Sequence, residues 1–270
     1  MNRGILRSTI PSSSTEHRTQ SSDHAMLARK YDDEITIWWS SLSETQACLG
    51  LQVNLLSDEE LLRAGRMSNP MLRDRWITGR ATLRSILSVY LGIQARAIPI
   101  TYEPLGKPQV VNRGTVRFNL SHSADLAALA VTWKKPVGID ILRVRDNTNI
   151  DDLAPWTFSE DDHNAWLRLP EAEQRLCFLR PWVRKEAYLK GRGPGLTYSM
   201  RDLQVFASST GCSMQIMNTR SGAPDRRWRI FDLTPPEPGF VAAVAVDGKV
   251  SSLISRSWPD DSIRATWTEK

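Results

Sequence analysis

The chain has 270 residues, of which 41% are hydrophobic and 24% charged, as is ordinary for a globular protein of one large domain or two small ones. The net charge of +5 favours an acidic partner such as a polyphosphate ligand, an acidic protein or a nucleic acid. No apolar run reaches the roughly 20 residues that a membrane span needs. Because the basic residues form no dense block and the tryptophans no stacking repeat, we expect no nucleic-acid partner.

The cysteines and the first residues bear on location. Cys48, Cys177 and Cys212 are too widely spaced for a zinc pattern or a disulfide framework, which predicts a reducing, cytoplasmic environment. Residues 1–30 are rich in serine, threonine, arginine and glutamine and predict a disordered extension. Acidic residues in this stretch argue against a transit peptide, and it has no apolar core typical of a secretory signal.

The first predicted elements are a strand and two helices. Residues 34–42 are strand-like. Ser57 is predicted to cap a helix, with Glu60 as its partner in a capping box. Residues 73–92 have the apolar spacing of an amphipathic helix that Gly92 ends.

Extended segments follow these helices. Residues 97–110 are interrupted by a Pro-Leu-Gly-Lys-Pro turn, and residues 115–133 predict two strands around a polar turn at 121–125. Residues 136–144 predict a further strand with Asp140 in its middle.

The last part of the chain is predicted to be helical and then extended. Residues 151–190 are helical, with Pro170 and Pro181 as breaks or first-turn positions, and strand-like alternation returns after residue 196. This order predicts an α+β fold. Its parts are two similar α+β halves and a peripheral tail, at residues 31–135, 136–250 and 251–270.

Charged residues of the second half are candidates for chemistry. A carboxylate in an apolar strand is costly to bury without a cation or metal, which singles out Asp140, although a turn-capping or salt-bridged aspartate would also explain it. Glu186 and Lys190 share a helix face, as they would in a simple surface ion pair. Gly193 and Gly195 could let main-chain amides approach a phosphate.

Polar and basic candidates also occur in the first half. They are Arg80, Arg84, Lys107, Asn119, Ser121 and His122. Solvated cations and a buried, satisfied histidine are the alternatives, and no Gly-x-Ser-x-Gly elbow supports a hydrolase triad. Together, the two carboxylates and the cations form a set suited to magnesium-assisted chemistry on a phosphate ester.

The order of these motifs is similar to that of a known family. The segments "LSDEE", "GRATLRSIL", "GKP", "FNLSHS", "VGIDI", "FSEDD" and "WVRKEAYLKGRGPGL" resemble the Sfp-type 4′-phosphopantetheinyl transferases over residues 34–247. The resemblance implies a monomer of two α+β halves, with coenzyme A and Mg²⁺ in the active site in the cleft between them. The implied reaction transfers phosphopantetheine from coenzyme A to a serine of a fatty-acid, polyketide or peptide carrier protein and releases 3′,5′-ADP.

The resemblance also implies roles for residues at matching positions. Asp140 and Glu186 would hold Mg²⁺, Lys190 would bind phosphate oxygens, and Glu186 would be the candidate base. The implied coenzyme A-binding residues are Arg63, Arg80, Lys107, Asn119, Ser121, His122, Lys185 and Lys190. His122 and Arg63 would lie near the 3′-phosphate.

One position departs from the family pattern. Many bacterial members have a third carboxylate two residues after the aspartate, where this chain has Leu142, so we expect a water in that coordination position and weaker metal binding. Asp162 either assists the metal site or caps a helix. Leu142 also motivates an alternative, a coenzyme A or carrier-protein binding module with an impaired site, and a magnesium phosphohydrolase is a third reading.

Overall fold

The computed structural model describes residues 33–43, 46–111, 116–145, 149–193, 199–207, 214–218 and 222–259. The helices are α1 Gln46–Gln52, α2 Asp58–Gly65, α3 Pro70–Leu91, α4 Ile150–Thr157, α5 Glu160–Leu167 and α6 Glu171–Arg192. The strands are β1 Glu34–Ser41, β2 Ile100–Tyr102, β3 Pro108–Val110, β4 Val116–Ser123, β5 Leu126–Trp133, β6 Val137–Arg143, β7 Leu203–Ala207, β8 Met214–Asn218, β9 Ala223–Leu233, β10 Phe240–Asp247 and β11 Ser252–Trp258. This mixture confirms the predicted α+β class, and the extension at residues 1–30 lies outside the described residues.

The first sheet packs against helix α3. Its strand order is β11-β1-β5-β4, with β1 antiparallel to β5 and β5 antiparallel to β4. Leu83 and Leu87 of α3 pack into a core with Trp38 of β1 and Phe118 of β4. The small hairpin of β2 and β3 lies beside this sheet as a separate two-stranded sheet.

Strand β11 lies in the segment that the sequence predicts as a peripheral tail. Residues 252–258 pair in parallel with β1, in a register that sets Glu34 opposite Ser252. Trp258 packs its ring edge-on against Trp38, with the ring centroids 5.9 Å apart. The tail therefore supplies an edge strand of the first sheet, because this pairing covers β1 and buries apolar surface that the strand would otherwise expose.

The second sheet packs against both α6 and the first sheet. Its order is β6-β10-β9-β8-β7, and its strands are antiparallel. Ile139 and Ile141 of β6 pack toward β1 and β5, whereas Ala243 and Ala245 of β10 pack against α6. The described part of the chain thus forms four layers, in the order α3, first sheet, second sheet, α6.

Local features agree with the sequence in most places. Ser57 and Glu60 form the predicted capping box, and Gly92 ends α3 in a left-handed conformation. The polar turn is shorter than predicted, because residues 121–123 continue β4. Pro181 lies inside α6 rather than at a break. No helix within the described ranges is long and apolar enough to cross a bilayer.

Candidate active site

Three elements meet at Asp140 of β6. Its Oδ1 accepts hydrogen bonds from Ser121 Oγ of β4 at 2.9 Å and from Lys190 Nζ of α6 at 2.6 Å. Lys190 Nζ also donates to Ser121 Oγ at 3.1 Å. Asp140 is only 6% exposed, so this ammonium and hydroxyl replace the water that a buried carboxylate would lose. The structure therefore brings together three of the residues selected from the sequence.

Glu186 lies one turn before Lys190 on α6. Burial raises the pKa of its carboxyl, the nearby Asp140 raises it further, and Lys190 acts in the opposite direction. Two carboxylates beside a single ammonium leave a net negative charge in a partly desolvated place. Carboxylate oxygens with surplus negative charge are the donors that Mg²⁺ prefers, so the side chains here fit this ion.

Two glycines set the distance between β6 and α6. A Cβ added to Gly138 would lie 2.0 Å from the carbonyl oxygen of Ala187 and 2.2 Å from the nitrogen of Gly191. A Cβ on Gly191 would lie 2.5 Å from the ring of Trp228. The main chains of β6 and α6 are thus in direct contact. This contact places Asp140, two residues after Gly138, against the helix face that carries Lys190.

Asp140 and Glu186 form an acidic cluster, and Leu142 takes no part in it. Its side chain packs among apolar residues near Trp182 and Val241. Within the described ranges, no group of three or more histidine, cysteine, aspartate or glutamate side chains lies together in a manner that could hold a metal. A metal in this cluster would therefore be held by Asp140 and Glu186.

A basic cleft lies on the first-half side of this cluster. It has a volume of about 880 Å³, and its lining includes Arg63, Arg75, Trp76, Arg80, Tyr102, Gly106, Pro108, His122 and Arg145. Arginine guanidinium groups recognise phosphate by charge and by paired hydrogen bonds. The cleft is thus suited to a ligand with several phosphates.

Arg80 is held in a fixed orientation in this cleft. Its Nε lies 3.2 Å from Glu60 Oε1, its Nη2 donates to the Tyr102 hydroxyl at 2.6 Å, and its guanidinium carbon lies 5.4 Å from the Trp76 ring centre. Arg63 lies at the same distance from that ring. These cation–π contacts hold both predicted coenzyme A-binding arginines at the cleft wall.

Arg84 is buried, which contradicts the alternative of a solvated stripe on α3. Its side chain is 2% exposed. Its Nε donates to Glu60 Oε2 at 2.5 Å, and its Nη1 donates to main-chain carbonyls of Ala95 and Ile98 at 2.7 and 3.1 Å. Arg84 therefore anchors α3 to α2 and to the segment before β2.

His122 and Asn119 flank Ser121 on β4. His122 lies at the cleft rim, where partial desolvation and then the cations Lys190 and Arg75 lower the pKa of its imidazole. It is therefore neutral at neutral pH and can donate or accept a hydrogen bond. Asn119 Oδ1 accepts from the main-chain N–H of Ile139 at 2.8 Å, which joins β4 to β6. Asn119 is thus bound to β6 rather than directed into the cleft.

Lys107 extends toward α6 instead of the cleft. Its ammonium donates to the carbonyl oxygens of Lys190 at 2.6 Å, Val137 at 3.2 Å and Gly191 at 3.3 Å. Burial lowers the pKa of this lysine to about 8. These contacts differ from the nucleotide contact that the resemblance implies, because three carbonyls occupy its three donors.

Lys185 lies apart from the cluster. It is 2% exposed, and its ammonium donates to the carbonyl oxygens of Thr157 at 2.6 Å and Met200 at 3.1 Å. Burial lowers its pKa to about 8, and Asp162 opposes that shift. Asp162 therefore lies beside Lys185, and its main-chain N–H donates to the cap residue Ser159. The ammonium of Lys185 is thus held by main-chain carbonyls, and its role at the coenzyme site stays a prediction.

Four polar or aromatic residues of the cleft were not predicted as site residues, namely Arg75, Trp76, Tyr102 and Arg145. Arg75 pairs with Asp125 beside His122. The sequence did contain a signal for Trp76, because a residue four positions before Arg80 shares its helix face, and Arg75 is next to Trp76. Tyr102 and Arg145 carry no such signal, because only the tertiary fold brings them near α3.

The chain is similar to known proteins. Residues 136–245 match the family model of the 4′-phosphopantetheinyl transferase superfamily. The chain is 34% identical to the 4′-phosphopantetheinyl transferase HetI of Nostoc sp. over 80% of this chain and 89% of that protein. It is 23% identical to the 4′-phosphopantetheinyl transferase Sfp of Bacillus subtilis over 71% of this chain and 82% of that protein.

A solved structure was also found, a holo-(acyl-carrier-protein) synthase from Bacillus anthracis in complex with CoA (3′,5′-ADP). It aligns with a TM-score of 0.33 and 20% identity over 42% of this chain and 96% of that chain. The alignment with HetI extends over most of both proteins. The chain belongs to the 4′-phosphopantetheinyl transferase superfamily.

Proposed function

We propose that the protein transfers 4′-phosphopantetheine from coenzyme A to a serine of a carrier protein, with Mg²⁺, and releases 3′,5′-ADP. The observation that carries the proposal is the cluster of Asp140, Ser121 and Lys190, in which an ammonium and a buried carboxylate are held 2.6 Å apart. The basic cleft on one side of this cluster supports binding of the nucleotide part of coenzyme A.

Each group has a task that follows from its position. In the cleft, Arg63 and Arg80 bind the nucleotide phosphates, and the neutral His122 donates a hydrogen bond at the rim. Asp140 and Glu186 would hold Mg²⁺. The ion, when bound, supplies positive charge to the pyrophosphate. Lys190 contributes a further positive charge to the phosphate oxygens, where negative charge develops in the transition state.

The transfer itself needs a proton acceptor. The serine hydroxyl of the carrier protein attacks the β-phosphorus of coenzyme A, and the bond from that phosphorus to the bridging oxygen breaks. 3′,5′-ADP leaves with that oxygen, and Glu186 takes the hydroxyl proton.

Charge complementarity supports a carrier protein as the acceptor. The resemblance implies a carrier protein with an acidic recognition helix, and the chain has a formal net charge of +5. Opposite charges on the two partners raise the rate of encounter. We propose that carrier domains of fatty-acid, polyketide or peptide synthases are the acceptors and that the protein acts as a monomer.

One observation favours a second candidate function. Leu142 packs against the core at the position where the resemblance implies a third acidic residue in many members, which leaves two carboxylates for a metal. A binding module for coenzyme A or carrier protein, without transfer activity, would also have the basic cleft.

A single assay separates these functions. The protein is incubated with an apo carrier protein, coenzyme A and Mg²⁺, and the carrier is weighed by intact mass spectrometry. A gain equal to one phosphopantetheine supports transfer. An unchanged carrier with coenzyme A bound to the protein supports the module, and release of free phosphopantetheine supports a hydrolase.

A further inference from the structure

Lys107 connects the first half of the chain to the second. It lies between β2 and β3, on the hairpin beside the first sheet. Its ammonium reaches the carbonyl oxygens of Val137 at the start of β6 and of Lys190 and Gly191 at the end of α6. A single side chain thus joins the hairpin to both elements that carry the acidic cluster.

The end of α6 is a favourable place for a cation. The last four carbonyls of a helix have no partner within the helix, and the helix dipole is negative there. Lys190 and Gly191 supply two of these carbonyls, since α6 ends at Arg192. The amide of Gly193 donates to Leu189, which leaves the carbonyls of Lys190 and Gly191 for Lys107.

The hairpin also forms part of the basic cleft. Tyr102, Gly106 and Pro108 line the cleft, and the Tyr102 hydroxyl accepts a hydrogen bond from Arg80. Lys107, between Gly106 and Pro108, extends in the other direction toward α6. The hairpin is therefore held on one side by α3 and on the other by the end of α6.

The ammonium of Lys107 is enclosed by protein groups. Two charged side chains act on its ammonium: Glu103 of the same hairpin raises its pKa and Arg117 of β4 lowers it. Burial outweighs both and brings the pKa to about 8. The neighbouring small cavity is lined by Lys107, Arg117 and Arg192 together with Glu103.

We propose that Lys107 is a positioning residue that sets the distance between the nucleotide cleft and the Asp140–Lys190 cluster. This inference rests on the proposed transfer function. It assigns Lys107 a task other than nucleotide binding: the side chain fixes the hairpin against the helix whose last turn carries Lys190. A displacement of about 1 Å between bound substrate and catalytic groups can lower a rate roughly 100-fold.

The test uses Lys107→Met, which keeps the apolar stem and removes the three donors, with Lys249→Met as a control at an exposed lysine. Three quantities are measured: kcat for transfer, the dissociation constant of 3′,5′-ADP by calorimetry, and amide hydrogen exchange across α6. We expect Lys107→Met to lower kcat by about 10- to 100-fold. We expect its 3′,5′-ADP affinity to stay within about threefold of the wild type, because Arg63 and Arg80 remain in place.

We also expect faster exchange in the last turn of α6, and no change on any measure in the control. A tenfold or greater loss of 3′,5′-ADP affinity with kcat retained would make Lys107 a nucleotide contact and overturn the inference. Unchanged exchange at the end of α6 would also overturn it. If the wild type transfers nothing, the proposed function fails. The exchange measurement still decides whether Lys107 fixes the hairpin against the end of α6.

Discussion

Gly138 of β6 lies against Gly191 of α6, and neither position has room for a methyl group, because the main chain of α6 blocks the first and the Trp228 ring the second. An alanine at 138 would place its Cβ 2.0 Å from a main-chain oxygen and 2.2 Å from a main-chain nitrogen. Main-chain atoms of a strand and a helix cannot move aside individually, so the whole helix must shift. The glycine of the Gly-Ile-Asp motif is therefore a requirement of packing that also positions the carboxylate two residues later.

Gly138→Ala tests this contact. We expect it to lower the free energy of unfolding by about 3 kcal/mol because of overpacking, and to abolish transfer because Lys190 moves away from Asp140. Chemical denaturation gives the first quantity and intact mass the second. Gly50→Ala is the matched control, since its Cβ would meet nothing within 4 Å, and an alanine in α1 should stabilise by about 0.5–1 kcal/mol. Equal stability of the two variants would contradict the close contact between Gly138 and α6.

Arg63→Gln tests the basic cleft. Removal of a charged donor to a phosphate costs about 1.5–3 kcal/mol, so we expect a 10- to 100-fold weaker affinity for 3′,5′-ADP. We expect the dependence of this affinity on salt to become shallower, since one charge contact is lost. Calorimetry at two salt concentrations measures both effects. Arg168→Gln, at an exposed arginine after α5, should leave both unchanged, and the cleft assignment fails if the two variants behave alike.

Lys185 gives stability a dependence on pH. Its pKa is about 8 in the folded protein and 10.5 ordinarily, so the unfolded chain binds more protons in this window. The contribution of Lys185 to the free energy of unfolding must then rise as the pH increases through the window. Between pH 8 and 9.5 we expect wild type to gain about 1–2 kcal/mol relative to Lys185→Met.

Denaturation of both proteins at the two pH values measures this difference, and the other titrating groups cancel because they are common to both. Parallel pH profiles would show that Lys185 titrates normally and that its ammonium is not desolvated.

Leu142→Glu tests whether two carboxylates suffice for the metal. The residue is on the same side of β6 as Asp140, because side chains two apart in a strand share a face. We expect an active enzyme with half-maximal rate at a lower Mg²⁺ concentration, and some loss of stability because Leu142 packs in the core. Leu142→Gln introduces a side chain of similar shape without the charge. We expect it to lose stability without lowering the Mg²⁺ concentration at half-maximal rate. An equal Mg²⁺ requirement in both variants would contradict the assignment.

The residues that chemistry singles out were predictable, and the direction of several side chains was not. Asp140 stood out because a charge in an apolar strand needs a partner, and Ser57 and Glu60 form the capping box that their spacing predicts. The contacts of Lys107 and Lys185 were not predictable, because a lysine ammonium can bind either a ligand or a main-chain carbonyl. Which of the two occurs depends on which helix end the fold brings near, and a single sequence does not contain that distance.

The pairing of β11 with β1 was also not predictable from the sequence. Residues 252–258 and 34–41 are more than 200 residues apart in sequence, and parallel pairing leaves no turn between them as a signal. The burial of Arg84 was not predicted, because its four partners come from α2 and from the segment before β2. Only the assembled fold encloses it.

The most direct test of the central claim is the mass of an apo carrier protein after incubation with coenzyme A, Mg²⁺ and either wild type, Asp140→Asn or Glu186→Gln. We expect wild type to add one phosphopantetheine, and each variant to lower the rate about 100- to 1,000-fold, as for the loss of one group that stabilises charge in the transition state. Circular dichroism and 3′,5′-ADP binding should show that both variants remain folded. Near-native transfer by either folded variant would contradict the claim that Asp140 and Glu186 form the catalytic centre.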